Sequence, residues 1–186
     1  MDKSTDTQSV FGNGNCRSAS NNSGLLQTGT LKDKGQFFGY NSSTAQVKVF
    51  HIEKFWGDQW DRVAGIINSG GKIYAKMTPE GNGYRITDVQ GYVDTGVSTP
   101  SASQSYISSM KCSEYGMIPT AVSGSSSTYY CAAMWSDNSQ LDYLLAGASA
   151  YNATASGGAF TFNVNNAPSN ANWNNGCGHS YYKKYF

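Results

Sequence analysis

The sequence predicts an α+β domain, predominantly β and loop-rich, on three observations. Charged residues make up only 13% of the 186-residue chain, where about 25% is usual. Polarity comes from Ser, Asn, Thr and Gly, which disfavour long helices and suit strands and ordered loops. Turn chemistry recurs between short apolar segments, as at Asn68-Ser69-Gly70-Gly71 and Asn165-Asn166-Ala167-Pro168-Ser169-Asn170. An apolar share of 39%, with 13% aromatic, is enough for a core. The length suits one domain with an N-terminal arm. A net charge of +1 without a basic stripe gives no electrostatic case for nucleic acid or an acidic membrane. No apolar run approaches the length of a membrane span, and Met1–Asp6 lacks the apolar segment of a signal peptide.

Residues 1–24 are rich in Ser, Asn and Gly and read as an arm, with Phe11 tucked against the body. Asp33-Lys34-Gly35 and Asn41-Ser42-Ser43-Thr44 read as turns around the apolar group Phe37–Tyr40. Gln46–Phe55 alternates as one strand and leads into an aromatic corner, Trp56-Gly57-Asp58-Gln59-Trp60. Arg62–Ile67 and Lys72–Met77 read as a hairpin closed by Asn68–Gly71. Thr78–Gly83 is a loop, and Tyr84–Val93 a strand or an irregular segment. Gly96–Ser103 reads as exposed and Ser101–Met110 as the best site for a short helix. Tyr106–Tyr115 and Thr128–Trp135 read as strands around a long Ser/Gly loop, Gly116–Ser127. Leu141–Leu145 is apolar, and Phe160–Val164 alternates as a strand.

Catalytic and metal signatures are absent from the sequence. His51 lies in a predicted strand and reads as a packed or surface residue. No GxSxG marks a nucleophile, and no Gly-rich phosphate loop precedes a helix. The carboxylates Glu53, Asp58, Asp61, Glu80, Asp88, Asp94, Glu114, Asp137 and Asp142 form no cleft motif for a glycosidase pair. Asp58 reads as a turn residue, and Asp61 as a partner for Arg62 or a neighbour. Cys16, Cys112, Cys131 and Cys177 are scattered without a CxxC spacing, which argues against structural zinc. They read as free thiols, with Cys112–Cys131 the first disulfide to test. No cofactor is expected.

Ala146–Phe186 stands apart. It contains no Asp, Glu, Gln, Met or Arg, although the chain has 12 carboxylates. Its tail runs GAF-x-x-N-V-N-N-A-P-S-N-x-N-W-N-x-G from Gly158 to Gly176. Upstream lie GTLKDKGQFFGY, QVKVFHIEKFWGDQWDRVAGII, KIYAKMTPEGNGY, SEYGMIP and TYYCAAMW. Together, over Gly12–Phe186, these blocks resemble the variable proteins of diversity-generating retroelements of gut bacteria and their phages. The resemblance implies a C-type lectin fold over 25–186, with a variable region at about 146–180. It also implies that a reverse transcriptase rewrites one cassette with errors at template adenines. Adenine-rich Asn codons then reach Tyr, Ser, Ala, Gly, Thr, His and Cys, but not Glu, Gln, Lys or Met.

On this resemblance, Gly158-Ala159-Phe160, Val164, Ala167-Pro168-Ser169, Trp173 and Gly176 are a fixed frame. The ligand-binding variable positions are Ala150, Tyr151, Asn152, Ala153, Ser156, Gly157, Thr161, Asn163, Asn165, Asn170, Asn172 and Asn174. The chain departs from the family at Ala148-Ser149, where Gly-Gly is usual, and at Asn175 and near His179, where apolar residues are usual. Trp173-Asn174-Asn175 is similar to the Trp-Asn-Asp of sugar-binding C-type lectins. Without a carboxylate after Asp142, however, a calcium site of six to eight oxygens is not expected. The implied role is a receptor-binding protein on a virion tail or cell surface, not an enzyme. Its partner would be a protein or glycan of a target bacterium, and a homotrimer is compatible with it. Two rivals remain. An enzyme on the related formylglycine-generating-enzyme fold would need Cys131 and Cys177 together in a cleft. A structural virion or adhesin module would show no exposed patch made of the tail.

Overall fold

The computed structural model describes residues 12–39, 45–78, 84 and 86–176. The strands are β1 (Lys48–Val49), β2 (Ile52–Glu53), β3 (Trp60–Ser69), β4 (Lys72–Ala75), β5 (Val93–Ser98), β6 (Ala102–Ser113), β7 (Gly116–Val122), β8 (Ala133–Ser136), β9 (Leu141–Ala146), β10 (Phe162–Asn166) and β11 (Asn175–Gly176). β1 and β2 form a small antiparallel hairpin. The rest make one sheet in the order β5-β4-β3-β9-β10-β8-β6-β7, with β11 added beside β3. The pairings β10–β8 and β11–β3 are parallel, and the others are antiparallel. The edge strands β5 and β7 approach each other, so the sheet nearly closes on itself. The expected β-rich, loop-rich architecture is present. Its α component has no counterpart among the described residues, whose only helical turns are the 3-10 turns Asn22–Gly24 and Thr154–Ser156.

The β3–β4 hairpin forms where turn chemistry demands. Gly70 and Gly71 have φ of 61° and 83°, the left-handed pair that a two-residue hairpin turn needs. Further along, β3 bulges against β9, its pairing skipping from Val63–Leu144 to Ile67–Tyr143. Gly65 (φ 84°) sits in the bulge, where a Cβ would stand 2.2 Å from the Lys76 carbonyl oxygen.

Four sequence expectations need correction. Gln46–Phe55 is not one strand: Phe50 and His51 take φ of 48° and 67° and turn the chain back between β1 and β2. Ser101–Met110 is no helix but most of β6, which pairs with β7 and β8. Gly116–Ser127 is not all loop, since Gly116–Val122 is β7. Gly96–Ser103 is not uniformly exposed: Val97 and Thr99 are buried. The Asn41–Thr44 turn and most of the Thr78–Gly83 loop, with Phe11, Cys177 and His179, lie outside the described residues.

The core divides on the two faces of the sheet. One cluster gathers Ile66, Ile73, Val97, Ile107, Ile118, Met134, Leu144, Phe162 and Val164. The other gathers Cys16, Trp60, Tyr143, Leu145 and Ala148, with Trp135 against it. Successive strand residues point to opposite faces. Thus β9 sends Leu144 into the first cluster and Tyr143 and Leu145 into the second.

Residues 12–24 do not form a separate arm. Gly12, Gly14, Asn15 and Cys16 are buried. The N–H groups of Arg17 and Ala19 donate to the Ala150 carbonyl, at 3.3 and 2.8 Å. Asp58, fully buried with φ 70°, ties this segment to the aromatic corner. Its Oδ1 accepts from Asn15 Nδ2 and from the Leu26 N–H, both at 2.7 Å. Its Oδ2 faces Lys54 Nζ at 2.9 Å. Lys54 Nζ also donates to the Leu26 carbonyl.

Asp142 on β9 is a burial liability. Gln140 Nε2 donates to its Oδ1 at 2.9 Å, while Oδ2 has no partner. Burial, with a smaller push from Asp137, raises its pKa from 3.8 to about 6. Burial likewise raises Asp61 to about 6. The fold thus binds these protons more tightly than the unfolded chain does. Stability is therefore unaffected below about pH 4, falls as pH rises from about 4 to 6, and stays low above that. Stability should rise when pH falls from 7.5 to 5. Asp142→Asn should raise the unfolding free energy at pH 7 by about 1–2 kcal/mol and flatten that slope. Urea titrations at both pH values check this; an unchanged slope would contradict it.

Candidate ligand-binding pocket

The second core cluster does not close completely. It opens into a cavity of about 610 Å³, within the range of about 300–1,000 Å³ common for small-molecule sites. Its floor is set by register. Leu145 on β9 stands beside Asn163 on β10, which stands beside Trp135 on β8. All three line the cavity. Trp60 adds an aromatic wall, its ring 5.6 Å from that of Trp135 at 89°. That edge-to-face arrangement is favourable for aromatic pairs.

The same alternation that builds the core builds the floor. Along β10, Phe162 and Val164 enter the first core cluster, whereas Asn163 and Asn165 line the cavity. The rim comes from two loops. Tyr151, Asn152, Ala153 and Ser156 line one side, and Asn172, Trp173, Asn174 and Asn175 the other. Asn166 also lines the cavity, as do two residues distant in sequence, Ser18 and Gln104.

The first loop is held by its backbone. The Gly57 N–H donates to the Gly147 carbonyl at 2.7 Å, and the Ala150 N–H to the Asp58 carbonyl at 2.9 Å. The Ser18 N–H donates to the Asn152 carbonyl at 3.0 Å. The second loop is anchored where the Trp60 N–H donates to the Asn174 carbonyl at 2.7 Å, and where Gln59 Nε2 donates to the Trp173 carbonyl at 2.9 Å. Neither rim depends for these bonds on its own outward side chains.

Eight of the twelve expected binding positions converge here: Tyr151, Asn152, Ala153, Ser156, Asn163, Asn165, Asn172 and Asn174. Tyr151, Ala153, Asn165 and Asn172 are exposed, while Asn152, Ser156, Asn163 and Asn174 are buried at the cavity's base. Asn170 is exposed outside it, and its carbonyl accepts from Arg62 Nη2 at 2.8 Å.

The other three positions are buried and lie outside the cavity lining. Ala150 is fully buried and Thr161 nearly so. Thr161 Oγ1 donates to the Ser156 carbonyl at 3.3 Å. Gly157 is buried, and a Cβ there would lie 2.2 Å from Cys16 Sγ.

Sequence reasoning missed Trp60 and Trp135 as pocket walls, having placed Trp60 in a structural corner. Ser18 and Gln104 left no local signal. Asp61 does not pair with Arg62, whose Nη2 instead donates to Tyr143 Oη at 2.9 Å. Cys112 is an exposed free thiol, so it forms no disulfide with Cys131, which is buried, as is Cys16. Among the described residues no three His, Cys, Asp or Glu side chains gather as metal ligands. Among the described residues, those lining the cavity include no Asp, Glu, Lys, Arg or His.

No protein-family model, no curated protein and no solved structure matches the chain.

Proposed function

We propose that the chain is the variable protein of a diversity-generating retroelement, built on a C-type lectin fold, and that this pocket is its binding face. It serves as a receptor-binding domain of a virion tail or cell surface, directed at a protein or glycan on a bacterium. One observation carries the reading: eight of the twelve positions that the resemblance implies as variable line a single cavity. Two further features support it. The rim loops are anchored to the body by hydrogen bonds to their backbone, which leaves exposed side chains such as Tyr151 and Ala153 free to vary. Ala148, where family members usually carry glycine, has φ 65°, a conformation that glycine takes without strain.

Substitutions at Tyr151, Ala153, Asn165 and Asn172 should shift the unfolding free energy by less than about 0.5 kcal/mol. The same substitutions should change binding to intact target cells about tenfold or more. Denaturant melts run beside cell-binding titrations test this. Melts as sensitive at these positions as at Trp60 would refute a display surface. The neighbouring DNA offers an independent check: a near-copy of the segment encoding residues 146–180, differing at adenines and beside a reverse transcriptase gene.

A further inference from the structure

Three pocket asparagines have their amide orientation fixed by backbone N–H groups, which can only donate. Asn152 Oδ1 accepts from the Ser149 N–H at 2.9 Å, Asn163 Oδ1 from the Asn165 N–H at 3.1 Å, and Asn172 Oδ1 from the Trp173 N–H at 2.8 Å. Each oxygen is thereby committed to the protein, and each Nδ2 is left without an acceptor among the described residues. Asn152 and Asn163 are buried residues, yet neither Nδ2 is among the unpartnered polar atoms sealed from solvent. The cavity therefore holds at least three uncharged, preoriented donors. Trp135 and Trp173 line the same cavity, and none of its described lining residues is Asp, Glu, Lys, Arg or His.

A ligand suited to this arrangement must accept hydrogen bonds at several points. It must also present C–H surface to aromatic rings and bring no charge, because a buried charge without a partner is costly. Carbonyl oxygens suit these donors because they only accept, while the unpartnered Oδ1 of Asn174 in the same lining can take an N–H or O–H that such a ligand also carries. We propose that the pocket takes an uncharged saccharide bearing N-acetyl groups. Its carbonyl and hydroxyl oxygens accept from the Nδ2 groups of Asn152, Asn163 and Asn172, and its C–H face packs on Trp135 or Trp173. This rests on the reading of the pocket as the binding face and chooses the glycan among the partners that reading allows.

Asn172→Asp is the discriminating variant. It keeps the acceptor for the Trp173 N–H, replaces the outward donor with a carboxylate, and lies at an exposed position. Calorimetric titration of the full chain would use N-acetylglucosamine oligomers, glucose oligomers and sialylated oligomers. The expected result is preference for the N-acetylglucosamine oligomers, insensitive to a metal chelator. The affinity should change less than about twofold between about 50 and about 500 mM salt. Asn172→Asp should weaken it about tenfold or more with an unchanged melt. Preference for the sialylated oligomers, a steep salt dependence, or an unaffected Asn172→Asp would overturn the proposal.

A panel of intact bacterial cells separates its failure from that of the wider reading. Suppose no oligomer binds, but cell binding is lost on Tyr151→Ala and on protease treatment of the cells. The saccharide is then wrong and the receptor-binding face stands. Cell binding indifferent to every pocket substitution would overturn both.

Discussion

Asp58→Ala should lower the unfolding free energy by about 3–5 kcal/mol, the usual cost of breaking a buried ion pair by removing one partner. The Asp58 side chain is the meeting point of three segments. It accepts from Asn15 Nδ2 and from the Leu26 N–H, and it faces Lys54 Nζ. Its loss leaves the Lys54 ammonium with the Leu26 carbonyl, among the described residues, and with partial exposure to solvent. It also leaves a buried Asn15 amide short of an acceptor, although Asn15 Nδ2 keeps a second bond to the Gly24 carbonyl at 2.8 Å. Asp58→Asn retains an acceptor oxygen and should lose less. Denaturant titration of both variants is the measurement. A loss below about 1 kcal/mol for the alanine variant would mean that residues 12–26 are held by packing and their backbone hydrogen bonds without help from Asp58.

Trp60→Ala should cost about 3–5 kcal/mol as well, the range for removing a large aromatic from a core. Trp60 is 4% exposed, packs among Tyr143, Leu145 and Ala148, and holds the edge-to-face contact with Trp135. The contrast with Tyr151 makes the test informative. Tyr151 is 61% exposed at the rim of the same cavity, so Tyr151→Ala should leave the melt nearly unchanged. Urea denaturation of the two alanine variants decides the matter. Equal losses would erase the distinction between wall and rim.

Much of the sheet was legible where local chemistry and tertiary role agree. Phe160–Val164 alternates because one side of β10 meets the core and the other the cavity. Asn68–Gly71 announces a hairpin because only glycine enters its φ values freely. Legibility failed where the two part company. Alternation runs through Gln46–Phe55 because the turn at Phe50-His51 uses residues that carry no turn signature. β7 was hidden by Pro119 and its Ser/Gly-rich sequel. Proline is tolerated there because β7 is an edge strand. The pocket was half legible for a similar reason. Its rim comes from one compositionally odd stretch, but its walls come from β3 and β8 and its remote members from residues 18 and 104, which only the folded chain brings together.

The place of β10 has a consequence for the order of manufacture. Within the sheet, β9 pairs with β3 and β10, and β8 pairs with β6 and β10. Without β10, strands β3, β4, β5 and β9 form one open ribbon and β6, β7 and β8 another. A ribosome working from the N-terminus makes both ribbons before the strand that joins them. Each ribbon waits with an unpaired edge, a state prone to mispairing. The pairing of β3 with β9 spans a long stretch of chain and forms slowly. The strand that carries Asn163, Asn165 and Asn166 into the pocket lining is thus also the keystone of folding. Any change to Asn163 or Asn165 is made on a strand whose neighbouring Phe162 and Val164 must still lock the two halves together.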